Sequence, residues 1–175
     1  KIMKKKIILI GMMGSGKTTI GKKLAKILNL DFIDTDKIIE KDCKIKINKI
    51  FEKFGESFFR KKEEKVVLKL LSKKKSSVMA LGGGAFLNKK VQKKIIKENV
   101  SIWLDVSLEA IYKRCKGSNQ RPLLNKKNNS NLKKTIKELM QIRKPIYSKA
   151  KFVIKTNKST TEVCKKILFS IKNII

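Results

Sequence analysis

The chain has 175 residues, which is enough for one domain with a sizeable core and too few for two full domains. Its 45 Lys and Arg residues stand against 14 Asp and Glu residues, so the formal charge is +31, and it contains no histidine. This composition excludes a histidine general base, a histidine metal site and a Ser-His-Asp triad, and carboxylates become the first candidates for proton transfer.

Apolar segments and amphipathic helical patterns alternate along the chain. We predict strands at residues 7–10, 32–33, 78–81, 101–104 and 152–154. We predict helices at residues 17–28, 47–54, 56–71, 89–97 and 108–115, a helix that ends near 147, and a last helix at 160–171. The polar stretch 116–131 is predicted to be a mobile loop. Strands that alternate with helices in this way indicate a parallel sheet covered on both faces.

The turn between the first strand and the first helix has a phosphate-binding sequence. Residues 11–18 read GMMGSGKT and fit the pattern G-x-x-x-x-G-K-[ST] in the required context. Glycines let backbone N–H groups converge on phosphate oxygens, and the helix N-terminus adds favourable dipole charge. We expect Lys17 to reach the outer phosphates of a nucleoside triphosphate and the Thr18 hydroxyl to ligate Mg²⁺. The alternative, a merely structural turn, leaves both residues unexplained.

Two strand ends offer an aspartate that could position Mg²⁺, Asp34 and Asp105. Asp34 is favoured because Asp36 supplies a second carboxylate two residues later, which can accept a hydrogen bond from a substrate hydroxyl. Two alternatives stay open. Asp105 could instead cap the next helix, with Ser107 nearby, and Asp36 could simply cap a helix that begins at Lys37.

Only four arginines occur in a chain that otherwise uses lysine for positive charge: Arg60, Arg114, Arg121 and Arg143. Arginine retained against this background suggests planar, bidentate recognition of a carboxylate or a phosphate. The triplet Gly82-Gly83-Gly84 follows the third strand, where glycine lets backbone approach a ligand in the crevice at the strand ends. An ordinary tight turn is the alternative for the triplet.

Together these segments resemble the shikimate kinase family. The patterns stand in order: G-x-x-G-x-G-K-[ST]-T at 11–19, D-[ST]-D at 34–36, F-R-x-x-E at 59–63, G-G-G at 82–84, R-P-L-L at 121–124 and R-x-P-x-Y at 143–147. The resemblance runs from the P-loop to the end of the chain and is far more specific than the P-loop alone. It implies that ATP phosphorylates the 3-hydroxyl of shikimate, a hydroxylated ring acid, in aromatic amino-acid biosynthesis.

On the nucleotide side, the resemblance implies roles for matched residues. The residues on the ATP phosphates would be Gly14, Ser15, Gly16, Lys17, Thr18 and Thr19. Thr18 would ligate Mg²⁺ and Asp34 would assist the metal through water. Arg114 would lie against adenine, and Arg121 would belong to a lid that closes on ATP.

On the acceptor side, the resemblance implies that Asp36 binds the ring hydroxyls and acts as the base. Arg60 and Arg143 would clamp the substrate carboxylate. The residues against the ring would be Gly82, Gly83 and Gly84. Catalysis would then rest on Lys17, Asp36 and Arg121.

The resemblance implies an α/β P-loop kinase of the nucleoside-monophosphate-kinase type, with a five-stranded parallel sheet flanked by helices. We expect one domain over residues 1–175, with a substrate-binding segment near 36–63 and a lid near 115–127. We also expect a cytoplasmic monomer whose partners are ATP and shikimate, with no membrane and no specific nucleic acid. The three cysteines are widely separated and form no C-x-x-C, which fits a reducing compartment.

Two other functions stay open. The first is another small-molecule kinase of the same fold, such as a gluconate kinase, although Arg60, Arg143 and the glycine triplet argue against it. The second is a basic nucleic-acid-binding protein that carries a P-loop. Such binders concentrate charge on one face and interleave aromatics with it, whereas here lysines spread from Lys4 to Lys172 and aromatics are 6%. An AT-biased coding sequence would produce the same composition.

Overall fold

The computed structural model describes residues 5–116, 131–156, 159–172 and 174. Five parallel strands form one sheet in the order β2-β3-β1-β4-β5. The strands are β1 (Ile7–Ile10), β2 (Asp31–Asp34), β3 (Ser77–Ala80), β4 (Val100–Asp105) and β5 (Phe152–Lys155). The predicted five-stranded parallel sheet is confirmed, and β3 begins one residue earlier than the apolar run indicated.

Seven α-helices connect and cover these strands in the described part of the chain. They are α1 (Lys17–Leu28), α2 (Thr35–Cys43), α3 (Ile47–Ser72), α4 (Lys89–Glu98), α5 (Leu108–Cys115), α6 (Leu132–Tyr147) and α7 (Thr160–Ile171). Helix α3 is kinked at Gly55, whose backbone is not helical, so the predicted division at this glycine is confirmed. A short 3-10 helix, Ala85–Leu87, follows the glycine triplet.

The central strand β1 separates two apolar layers. Ile7 and Leu9 face one layer, in which α1 and α7 cover the sheet, whereas Ile8 and Ile10 face the other, which contains α3, α4 and α6. Successive side chains of a strand point to opposite faces, so a continuous apolar run is what a strand covered on both faces requires. Parallel pairing also brings the carboxyl ends of all five strands to one edge, where α/β proteins bind ligands.

No helix within the described ranges is both long and apolar enough to cross a membrane. The predicted lid at 115–127 lies almost wholly outside the described residues, and Arg121 lies outside them as well.

Candidate active site

A cleft of about 680 Å³ opens at the carboxyl ends of β1, β2 and β3. Most of the predicted site residues line it, and they come from six separate segments of the chain. These lining residues are Gly14, Gly16, Lys17, Thr18, Thr19, Asp34, Asp36, Arg60, Gly83, Gly84, Arg114 and Arg143. Ser15 and Gly82 are buried beside the lining residues rather than exposed in the cleft. The tertiary structure therefore brings together every predicted site residue that it describes.

The P-loop is closed around its own lysine. The Lys17 ammonium donates to the carbonyls of Gly11 at 2.9 Å and Met12 at 2.8 Å, and it lies 3.4 Å from the Ser15 hydroxyl oxygen. Arg114 of α5 donates to the carbonyl of Gly14 at 2.9 Å, which ties the predicted adenine side to the loop. An anion bound at the loop could therefore replace these carbonyls as the hydrogen-bond partner of the Lys17 ammonium.

The two carboxylate oxygens of Asp34 accept hydrogen bonds from different groups. Its Oδ2 accepts a hydrogen bond from the Thr18 hydroxyl at 2.9 Å. Its Oδ1 accepts from the backbone N–H groups of Asp36 at 3.1 Å and Lys37 at 3.4 Å, so Asp34 caps α2, which begins at Thr35. The alternative in which Asp36 caps this helix is therefore wrong, and the Asp36 side chain is left for the cleft.

The donor set formed by Thr18 and Asp34 fits Mg²⁺. A hydroxyl and a carboxylate supply the hard oxygen ligands that Mg²⁺ prefers, and they already lie in contact at the phosphate end of the cleft. In the part of the chain that the structure describes, no cluster of three or more Cys, Asp or Glu side chains could hold a metal alone. Mg²⁺ is usually bound through one or two protein oxygens, substrate phosphates and water, and the Thr18 and Asp34 oxygens could supply the protein share.

Asp105 lies outside this arrangement. Its carboxylate forms an ion pair with Lys144 at 3.7 Å, and it is not among the residues that line the cleft. The cap of α5 is Ser107, whose hydroxyl accepts from the Ala110 N–H at 3.3 Å. The interpretation of Asp105 as the cap is therefore wrong, because Ser107 supplies the cap. The place of Asp105 outside the cleft lining favours Asp34 as the metal-positioning residue.

The half-buried Asp36 and the buried Glu63 form an acidic pair across Gly82. A Cβ added to Gly82 would lie 2.6 Å from the Asp36 Oδ1 and 2.7 Å from the Glu63 Oε1, so glycine is required for the two carboxyls to approach. Burial, reinforced by the carboxylates of Glu63 and Asp34, raises the pKa of Asp36 to about 6. Burial also raises the pKa of Glu63, against the lowering effect of Arg60 and Arg143. A carboxyl with a pKa near neutrality is suited to take up and release a proton.

Two arginines flank this acidic pair. Arg60 donates through Nη1 to Glu63 at 2.7 Å and through Nη2 to Glu56 at 3.2 Å. Arg143 is 3% exposed, and its Nη1 lies 3.9 Å from the Met12 sulfur. Both guanidinium groups reach the cleft from different helices, α3 and α6, and so provide positive charge on one side of it.

Comparison with known proteins decides the family. A statistical model of the family described as shikimate kinase matches residues 13–172. A shikimate kinase of Thermodesulfovibrio yellowstonii is 46% identical over 165 residues, covering 94% of this chain and 93% of that protein. The chain belongs to the shikimate kinase family. A solved shikimate kinase from Acinetobacter baumannii, in complex with shikimate, superposes with a TM-score of 0.90 at 34% identity, covering 97% of this chain and 93% of that one.

Membership of the shikimate kinase family also decides against the gluconate kinase alternative. A solved gluconokinase from Sinorhizobium meliloti superposes with a TM-score of 0.63 at 15% identity, covering 99% of this chain and 95% of that chain. At this identity the likeness shows the fold alone. The parallel five-stranded sheet and the likeness to the solved shikimate kinase confirm the predicted fold of the nucleoside-monophosphate-kinase type.

Several residues that hold the site together received no role in the sequence analysis. Glu63 and Tyr147 appeared only as letters of the F-R-x-x-E and R-x-P-x-Y patterns. In the structure, Glu63 holds Arg60, and the Tyr147 hydroxyl donates to the carbonyl of Gly83. Thr35 received no role either, although it stands between the two aspartates of D-[ST]-D. For Glu63, the available signal was a polar residue on an otherwise apolar face of α3, but its partner could not be predicted from the sequence.

Proposed function

We propose a division of roles in the cleft for the reaction of the family, in which ATP phosphorylates the 3-hydroxyl of shikimate. The observation that carries the proposal is the juxtaposition of a phosphate-binding loop with a buried carboxyl of raised pKa and two arginines in one cleft. Phosphoryl transfer to an alcohol needs a phosphate cradle, a proton acceptor and a means of orienting the acceptor.

The P-loop would hold the ATP phosphates through its backbone N–H groups, with Gly14 to Thr19 around them. Lys17, which bonds to loop carbonyls here, would turn to the phosphate oxygens and stabilise the charge that develops on them. Arg114, anchored on the Gly14 carbonyl, would lie against adenine. Thr18 and Asp34 would hold Mg²⁺, whose chemistry when bound is to neutralise phosphate charge.

Shikimate would lie between the Asp36 carboxyl and the two arginines. Its carboxylate would pair with Arg60 and Arg143, which supports our assignment because planar forks match a carboxylate in two hydrogen bonds. The ring would rest on the glycine triplet, where no side chain stands between ligand and backbone. The 3-hydroxyl would donate to Asp36, which takes its proton as the hydroxyl oxygen attacks the terminal phosphorus and the bond from that phosphorus to the bridging oxygen of the departing ADP breaks. Arg121, outside the described residues, would complete the site from the lid.

We further infer that the chain acts as a monomer in a reducing compartment, the cytoplasm, with no specific nucleic acid as partner. One chain supplies all the described groups that the proposed roles use, so these roles require no residue from a second copy. The three cysteines are free thiols, which suits a reducing environment. Lysines stand on all seven described helices, so the +31 charge marks no single face of the kind that a nucleic-acid site requires.

The deciding experiment measures ADP release from Mg-ATP with shikimate, with gluconate and with no acceptor, and identifies the product by mass. We expect shikimate-dependent release and a shikimate 3-phosphate product. Turnover with gluconate alone, or no acceptor-dependent turnover in a folded preparation, would contradict the proposed roles. Binding to a nucleic-acid column at two salt concentrations tests the remaining alternative, since a dedicated binder loses affinity steeply with salt.

A further inference from the structure

The Thr35 hydroxyl joins two loops of the active site. Thr35 is the first residue of α2 and is fully buried, with 0% exposure. Its Oγ1 accepts a hydrogen bond from the Gly82 N–H at 2.9 Å and lies 3.3 Å from the Ala80 carbonyl, to which it donates. One hydroxyl is therefore hydrogen-bonded to Ala80, the last residue of β3, and to Gly82, the first residue of the glycine triplet.

These bonds stand where the sheet ladder ends. β2 and β3 pair in register as far as Asp34 and Ala80, and beyond that point β2 has become a helix. On the other edge of β3, the Leu81 N–H still bonds to the Leu9 carbonyl at 3.0 Å. The next N–H, that of Gly82, is accepted by the Thr35 side chain instead of by a strand. A buried N–H without a partner is destabilising, so the hydroxyl fixes where this turn lies.

The residues on either side of these bonds are those assigned to shikimate. Asp36 follows Thr35 directly, and its Oδ1 packs against Gly82, as does the carboxyl of Glu63. A Cβ at Gly83 would lie 3.2 Å from the Arg143 Nη1, so the same turn also bounds the arginine side of the cleft. Movement of the Gly82 backbone would change the spacing between the proton acceptor and the surface against which the ring is held.

We propose that Thr35 is a positioning residue for the acceptor half of the site. Its hydroxyl sets the distance between the Asp36 carboxyl and the glycine triplet, and so governs shikimate use without touching ATP. The proposal deepens the proposed function and rests on it. Thr35 acts through Asp36 and Gly82, because its side chain is buried behind the cleft and absent from the cleft lining.

The test compares Thr35→Val with Thr35→Ser. Valine keeps the branched shape but has no hydroxyl, whereas serine keeps the hydroxyl and loses only a methyl group. The matched control is Ser77→Ala, which removes a buried hydroxyl of β3 that has no hydrogen-bond partner in the structure. Steady-state kinetics with each substrate varied in turn, together with thermal unfolding, give the readouts.

We expect Thr35→Val to lower kcat/KM for shikimate by about 10- to 100-fold, since a small displacement of a catalytic group is costly. We expect its KM for ATP to change by less than about twofold, because the P-loop is untouched. Thr35→Ser should restore shikimate kcat/KM to within about threefold of the starting chain, and Ser77→Ala should match that chain.

An unchanged kcat/KM for shikimate in Thr35→Val, or a KM for ATP that rises as much as the KM for shikimate, would overturn the positioning role. So would failure of Thr35→Ser to recover activity while folded. If the valine variant does not fold, Thr35→Cys replaces it, because a thiol is a weak donor and acceptor of similar size. Failure of the proposed function itself is distinguished in advance, because the unaltered chain would then show no shikimate-dependent turnover.

Discussion

The molecule contains two glycine-rich turns, and glycine serves a different purpose in each. In the P-loop, Gly14 and Gly16 have φ values of 73° and 90°, a left-handed conformation that other residues rarely adopt. In the triplet at 82–84, no glycine has a positive φ. Glycine is needed there for space: a Cβ at Gly82 would strike Asp36 and Glu63, and one at Gly84 would lie 2.7 Å from the Arg60 Cζ.

This difference separates a local requirement from a tertiary one. The P-loop glycines allow the left-handed backbone conformation of their own turn, whereas the triplet glycines make room for side chains from α2, α3 and α6. Substitutions in the two turns should therefore fail in different ways, the first in phosphate binding and the second in acceptor binding. The following predictions test that division, from the largest expected effect to the smallest.

Asp36→Asn should lower kcat with shikimate by about 10²- to 10⁴-fold, because it removes the proposed proton acceptor and leaves the fold intact. Single-turnover measurement of shikimate 3-phosphate checks this. Asp42→Asn, on the same helix with a half-exposed side chain, is the control and should keep normal turnover. Comparable losses of turnover in the two variants would contradict the role of Asp36 as the proton acceptor.

Lys17→Met should lower kcat by about 10²- to 10³-fold, since charge stabilisation in the transition state is lost. Thermal unfolding should remain close to that of the unaltered chain. The control is Lys22→Met on the exposed side of the same helix, which should turn over normally. Near-normal turnover in Lys17→Met would refute the assignment of the P-loop.

Gly82→Ala should reduce kcat/KM for shikimate by about 10- to 100-fold, because the new methyl group displaces Asp36 or Glu63. Its KM for ATP should stay within about twofold. Gly16→Ala should show the opposite pattern, with ATP affected first, because the strain falls on the phosphate loop. The two variants are compared by steady-state kinetics with each substrate varied. Identical patterns would remove the distinction between the two turns.

Arg143→Lys should weaken shikimate binding by about tenfold, because an ammonium cannot reproduce the two parallel hydrogen bonds of a guanidinium. Binding of shikimate and of ATP is measured separately by calorimetry. Arg114→Lys is the matched variant on the nucleotide side, and it should weaken ATP and spare shikimate. Equal effects of Arg143→Lys on both substrates would contradict the carboxylate clamp.

The pH dependence should carry the signature of the acidic pair. Because Asp36 must be ionised to accept a proton and its pKa in the free protein is about 6, kcat/KM for shikimate should fall as the pH drops through that value. Glu63→Gln removes a like charge that raises the pKa of Asp36, so the acid limb should move to lower pH. Profiles for both proteins at saturating Mg-ATP check this. If the acid limb of the Glu63→Gln profile does not move, a group other than Asp36 determines it.

Most of the helices and strands could be predicted because their apolar periodicity is local. The bounds of β1, α5 and α7 agree with their predicted ranges, and the division at Gly55 was visible as a glycine between two amphipathic patterns. The two capping hypotheses were wrong, because each strand end carries more than one residue that can cap a helix. Which of Asp34 and Asp36, or of Asp105 and Ser107, caps a helix depends on where the helix starts, to within one residue.

The parallel α/β class, the phosphate-binding loop and the set of candidate residues could be predicted from the chain alone, because these depend on local spacing and residue type. How Asp36, Glu63, Arg60 and Arg143 share one cleft, and why the triplet must be glycine, became visible in the folded chain. The residues of that acceptor half are separated by up to about a hundred positions, and their distances are set by the packing of α2, α3 and α6 around the end of β3. The same packing buries Asp36 and so raises its pKa, a property that no local pattern of residues encodes.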